Sequence, residues 1–178
     1  RLEKWSGSVR APLIIMSYIN PIMRRGIKET FSILREKGVQ GLILPDMPLE
    51  GYELFTMCRD SGLDLIRLVA PTTPLERQKE VVSQCSGFVY AVTVKGVTGA
   101  RSSLPAEIRR QVSDIKSFTD LPVCAGFGVS NADQVKDMLT FADGVIVGSW
   151  LMGRIMEAEK PVMAARQMFV ELMGSKRI

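Results

Sequence analysis

The feature that most constrains this chain is a strict alternation. Strand-sized apolar runs, each followed by an amphipathic stretch, repeat along nearly its whole length. The runs are residues 13–16, 41–44, 65–69, 88–92, 122–125 and 144–147, and they are aliphatic or β-branched almost throughout. Runs of this kind, without polar alternation, are predicted as parallel strands covered on both faces. Between them the spacing turns helical. Ile27, Phe31 and Leu34 share a face, as do Ile108, Val112 and Ile115, and Val135, Met138, Leu139 and Ala142. Helix starts are predicted at Thr73-Pro74 and at Ser130-Asn131-Ala132-Asp133, and helix stops at Gly38 and Gly62. A short helix over 150–159 and a longer one from Pro161 to about Met173 close the pattern.

Strict βα alternation leaves a doubly wound sheet or a barrel. A dinucleotide-binding sheet would carry GxGxxG after an early strand, with an acidic residue about 20 positions on. The sequence has neither. Its glycine-rich turns follow the last two strands, as Gly126-Phe127-Gly128 and Gly148-Ser149. In barrels the loops after strands seven and eight, with a short extra helix, commonly make the phosphate site. The expected fold is therefore a (β/α)₈ TIM barrel, with strands three to eight in this chain. Residues 1–178 are expected to form a single phosphate-binding domain, N-terminally incomplete, with residues 1–8 as the tail of helix two. A six-stranded open sheet is the alternative. In a barrel short of two strands, the edges of strands three and eight would recruit other chains.

Composition removes whole classes of chemistry. Among 178 residues there is no histidine, so Ser-His-Asp, Cys-His and His-ligated metal sites are excluded for this stretch. Proton transfer must come from carboxylates, Lys, Tyr, Cys or water. Cys58, Cys85 and Cys124 lie far apart without CxxC spacing, which points to buried thiols in a reducing, cytoplasmic setting and to no metal. The net charge of +4 is modest and its basic residues are interleaved with acids, as on a solvated surface rather than a nucleic-acid face. No apolar run approaches the roughly 18 residues that span a membrane. The ten methionines are expected to fill core gaps, with a partner-binding surface as the second reading.

Several residues carry candidate chemistry. Gly126, Gly128, Gly148 and Ser149 can offer backbone amides to a phosphate, and a Cβ there would hold the phosphate off; tight turns are the plain alternative. Residues 95–103 are a closing lid or a long connector. Tyr90 faces either the barrel mouth or the core. Asp46, between Pro45 and Pro48, is catalytic or fixes its own turn, and Asn20-Pro21 is equally open, with helix capping the simpler role.

Six motifs occur in order: Met16-Ser17-Tyr18-Ile19-Asn20-Pro21, Pro45-Asp46-Met47-Pro48-Leu49-Glu50, Ala70-Pro71-Thr72-Thr73-Pro74, Gly96-Val97-Thr98-Gly99, Gly126-Phe127-Gly128-Val129-Ser130 and Gly148-Ser149. Together they resemble the strand-end motifs of the tryptophan synthase α-subunit family. The resemblance implies retro-aldol cleavage of indole-3-glycerol phosphate to indole and glyceraldehyde 3-phosphate, in tryptophan biosynthesis and without a cofactor. It also implies a β-subunit partner, carrying its own pyridoxal phosphate, in an αββα complex. Gly99, Gly126, Phe127, Gly128, Gly148 and Ser149 would hold the phosphate; Tyr90 and Thr98 would lie beside the active site; Asn20, Asp46 and Pro48 would face the β subunit. The family's catalytic Glu and Asp belong to the end of strand two and the loop after it. Both fall upstream of Arg1, so this stretch contributes no catalytic residue and is expected to be inactive alone. Two departures stand out. Thr93-Val94 replace a common Ser-Arg, and Trp150-Leu151-Met152 replace smaller residues that follow the Gly-Ser pair, where bulk would narrow the pocket or repack the helix. A catalytically impaired subunit that only regulates a β subunit, or another phosphate-binding barrel enzyme, remains as an alternative.

Overall fold

The computed structural model describes residues 10–92, 106–126 and 128–173. It separates into two units, Arg1–Val69 with Pro74–Val89, and Ala70–Thr73 with Tyr90–Ile178.

In the first unit, β1 (Leu13–Met16) leads into two helices, α1 (Ile19–Arg25) and α2 (Ile27–Glu36), and then to β2 (Val39–Ile43). Next come α3 (Tyr52–Asp60), β3 (Asp64–Ile66), β4 (Leu68–Val69) and α4 (Leu75–Ser83). β1, β2 and β3 pair in that order, all parallel, with Ile14 and Asp64 flanking Gly41. A Cβ on Gly41 would come to 3.0 Å from the Asp64 carbonyl oxygen and the Ile14 and Ile66 Cδ1 atoms, so a side chain there would force its neighbours to give way. Phe31, Leu42, Leu44, Cys58 and Leu65 form the sealed centre of this unit's core, and Ile27 and Leu34 pack against it, as the helical spacing predicts. Gly38 and Gly62 stop α2 and α3 at φ values of 76° and 71°, conformations that L side chains rarely adopt.

Two features depart from expectation. The run over 65–69 is not one strand but two short ones, broken at Arg67. And Asn20-Pro21 lie inside α1, beyond its N-cap Tyr18, so neither is the capping residue.

The second unit holds α5 (Ala106–Lys116), β6 (Val123–Gly126), α6 (Ala132–Met138), β7 (Gly144–Val145), α7 (Ser149–Glu157) and α8 (Pro161–Met173); β5 (Val89–Val92) enters it at Tyr90. β6 and β7 run parallel, with Cys124 opposite Gly144 and Ala125 opposite Val145, and the Ile146 amide extends the ladder by donating to the Ala125 carbonyl at 2.9 Å. Ile108, Val112 and Ile115 are buried along α5 as predicted. The stripe on α6 is shorter than expected: the helix ends at Met138, and Leu139 turns out to solvent. Its start is a reciprocal cap. The Asn131 side chain accepts the Gln134 amide at 2.9 Å, while the Gln134 side-chain oxygen accepts the Ser130 amide at 2.8 Å. At the opposite end of these strands, the Asp143 carboxylate accepts from the Val123 amide and from Lys116 Nζ, both at 2.8 Å. This pulls its pKa below the ordinary aspartate value, the Lys116 bond first and the Val123 amide second.

The methionines correct their expected role. Met47, Met138 and Met168 are buried, but Met16, Met23, Met152, Met156, Met163 and Met173 are exposed. Among the described residues no helix is long and apolar enough to cross a membrane, and no group of His, Cys, Asp or Glu could hold a metal ion.

Candidate functional site

Adjacent parallel strands deliver their following turns to the same end of a sheet. β6 and β7 are such a pair, so Gly126 and Gly128 on one turn, and Gly148 and Ser149 on the next, leave from the same edge of the second unit. The glycines, however, are needed for different reasons. A Cβ on Gly126 would sit 2.4 Å from the Ile146 carbonyl oxygen and 2.7 Å from the Ile146 Cβ, so its first role is to let the two strands approach. Gly128 has φ of 71° and open space around its Cβ position. Gly148 is the N-cap of α7, also with open space beside it, and Ser149 is the first, exposed residue of that helix. No acidic residue lies in the first turn of α7, so its partial positive charge is not cancelled locally. Among the described residues the outcome is an edge left open at Gly128 and Gly148 beside a helix N-terminus, a geometry that can accept an oxyanion.

Trp150 is half-buried and packs with its own helix neighbour. The Arg154 guanidinium lies 5.0 Å from its ring centroid and also bonds Glu171 of α8 at 3.4 Å, tying the indole to the α7–α8 side. Met152 is exposed. Tyr90 is buried in β5, and burial raises its phenol pKa, so it is a neutral hydroxyl near pH 7. Phe127, Thr98 and Gly99, like Thr93-Val94 and the loop over 95–103, lie outside the described residues.

Asn20, Asp46 and Pro48 lie in the first unit instead, all three exposed, and Asp46 bonds the residue just before Asn20. Asp46 is neither a turn-fixer for its own backbone nor a free carboxylate. Both its oxygens accept from the Ile19 amide, at 3.0 and 3.2 Å, so it caps α1 from 27 residues away. Behind it lies a cluster that the sequence reading missed. The Arg67 guanidinium donates to the Met47 carbonyl at 2.9 Å, to the Pro48 carbonyl at 3.2 Å and to the Gln84 side-chain oxygen at 2.6 Å. Gln84 in turn donates to the Leu49 carbonyl at 2.8 Å. Arg67 is 4% exposed. Burial lowers its pKa, opposed by the neighbouring Cys85, and as a guanidinium it keeps its charge. The signal was an arginine inside an otherwise apolar strand run. Burial also pushes the Cys58 thiol up to about 12 and Cys85 to about 11, so both are protonated and unreactive as expected.

The fold class follows from likeness to solved chains. A chain of the tryptophan synthase a2b2 complex from Pyrococcus furiosus superposes with a TM-score of 0.90 at 32% identity, over 97% of this chain and 71% of that one. The molecule is thus an α/β protein of the (β/α)₈ TIM-barrel class, contributing strands three to eight. The family model described as tryptophan synthase alpha chain matches residues 2–176. Tryptophan synthase alpha chains of Carboxydothermus hydrogenoformans and Methanocaldococcus jannaschii are 49% and 44% identical over 142 and 139 residues, which is 79% and 78% of this chain. The chain belongs to the tryptophan synthase alpha chain family. It spans about half the length of these curated relatives, 53% and 50% respectively.

Proposed function

We propose that the protein containing residues 1–178 cleaves indole-3-glycerol phosphate to indole and glyceraldehyde 3-phosphate, without a cofactor, as the α partner of a pyridoxal-phosphate β subunit. The observation that carries this reading is the pair of glycine turns leaving the same end of β6 and β7, open to a phosphate and backed by the α7 N-terminus. Family membership and the likeness to a chain of an a2b2 complex support the rest. In this proposal Gly126, Phe127, Gly128, Gly148, Ser149 and Gly99 hold the phosphate with backbone and hydroxyl donors. Tyr90 and Thr98 stand beside the indole glycerol. Asn20, Asp46 and Pro48 meet the β subunit, and the setting is cytoplasmic, in keeping with three free thiols.

The chemistry requires one carboxylic acid to protonate the indole ring carbon as the carbon–carbon bond opens, and a carboxylate to stabilise the ring N–H as charge develops there. Residues 1–178 provide neither at the matching positions, so as an isolated polypeptide they are proposed to bind substrate weakly and release no indole. A single charged helix terminus is worth only about 0.3–1 kcal/mol when exposed, which is too little to hold the substrate by its phosphate alone.

Indole release from indole-3-glycerol phosphate by the full-length protein tests the proposal. Turnover without added cofactor, absent from the 178-residue polypeptide, is expected. Activation of a β subunit without any indole release would favour a purely regulatory subunit. No measurable affinity for indole-3-glycerol phosphate would overturn the phosphate site itself.

A further inference from the structure

The loop over 45–51 bears Asp46 and Pro48, yet its backbone is fixed from beneath by two buried side chains. Three consecutive carbonyls, those of Met47, Pro48 and Leu49, are gripped by Arg67 and Gln84, and among the described residues the Arg67 guanidinium donates to uncharged oxygens. The guanidinium satisfies these acceptors at a desolvation cost that an apolar side chain does not carry, so its distinctive contribution is not the stability alone. What this arrangement supplies is placement. The strand run is broken at Arg67, between β3 and β4, where the side chain reaches the loop. The loop then reaches α1 through the Asp46 carboxylate and the Ile19 amide.

We infer that Arg67, with Gln84, is a positioning residue for the partner face: it sets the loop over 45–49 and, through Asp46, the start of α1, so that Asp46, Pro48 and Asn20 are presented as one preformed surface to the β subunit. Arg67 itself is too deeply buried to touch a partner. A preformed loop avoids the ordering cost that a loose one meets on association. The inference rests on the partner reading proposed above.

The test uses the full-length protein and a pyridoxal-phosphate β subunit of the same family, measuring their dissociation constant by titration well below the unfolding temperature. R67M is expected to weaken association at least tenfold, while indole release by the unpartnered protein stays within about twofold. R67K, which keeps the charge and part of the carbonyl contact, should recover part of the loss. Combining R67M with D46A should weaken binding no further than the stronger single variant, because both act through one loop. A general loss of stability would lower indole release by the unpartnered protein as well and would not produce this coupling. If R67M fails to fold, R67K and Q84L carry the same reading, each with an expected loss of several-fold. Unchanged affinity in these variants, with the parent binding normally, overturns the inference and leaves the proposed function standing. Full additivity of R67M and D46A also overturns it. A parent protein that binds no β subunit removes the partner reading, and this inference with it.

Discussion

The loop after β2 and the turns after β6 and β7 occupy equivalent places, at the carboxyl ends of parallel strands, but they are held in opposite ways. The first is fixed by side chains: Arg67 and Gln84 grip its carbonyls and Asp46 caps the neighbouring helix. The second is shaped by its glycines, with Gly126 allowing close strand approach and Gly128 and Gly148 leaving open space. A surface meant for another macromolecule benefits from exposed side chains on a stiff support. A pocket meant for phosphate benefits from bare amides. The difference between the two regions thus tracks the difference between their proposed ligands.

The contrast can be broken most sharply at Gly126. G126V places a side chain against the Ile146 backbone, which cannot swing away, and should destabilise the full-length protein by about 3 kcal/mol, the upper end of overpacking costs. Urea unfolding measures this. R67M removes donors from buried carbonyls and should cost about 1–3 kcal/mol in the same assay. Phosphate affinity should fall with the first variant and not with the second, and a reversal would dissolve the distinction. G128A forces a left-handed conformation on alanine, at about 1–2 kcal/mol, without a steric clash.

The smallest effect lies at the other end of β6. The folded-state pKa of Asp143 is depressed, so its contribution to stability is present above the ordinary aspartate pKa and is lost as pH falls through the folded value. Denaturation midpoints should therefore decline below about pH 4, and D143N should flatten that decline. Because the carboxylate is largely exposed and screened, the change should be small.

Much of this was legible from spacing. Hydrophobic period fixes where strands and helices fall, and it located β1, β6, α7 and α8 within a residue or two. It could not show that Arg67 would break a strand, because an arginine in an apolar run has no local partner to announce it; its acceptors lie about 20 residues away in sequence. Asp46 was ambiguous for the same reason, since the amide that it caps is 27 residues distant. The glycine turns were visible as a motif, but the reason for Gly126 was not. Its constraint is the Ile146 backbone on a neighbouring strand, and only pairing register reveals that. Leu139 sat on the correct helical stripe, yet the helix stops one residue before it.

The most direct measurement follows the backbone amides of Gly128, Gly148 and Ser149 by NMR in the full-length protein during titration with glycerol 3-phosphate. A single phosphate seat built from both turns predicts that all three resonances move together and give one dissociation constant. Movement of one turn without the other, or of neither at saturating ligand, would contradict it.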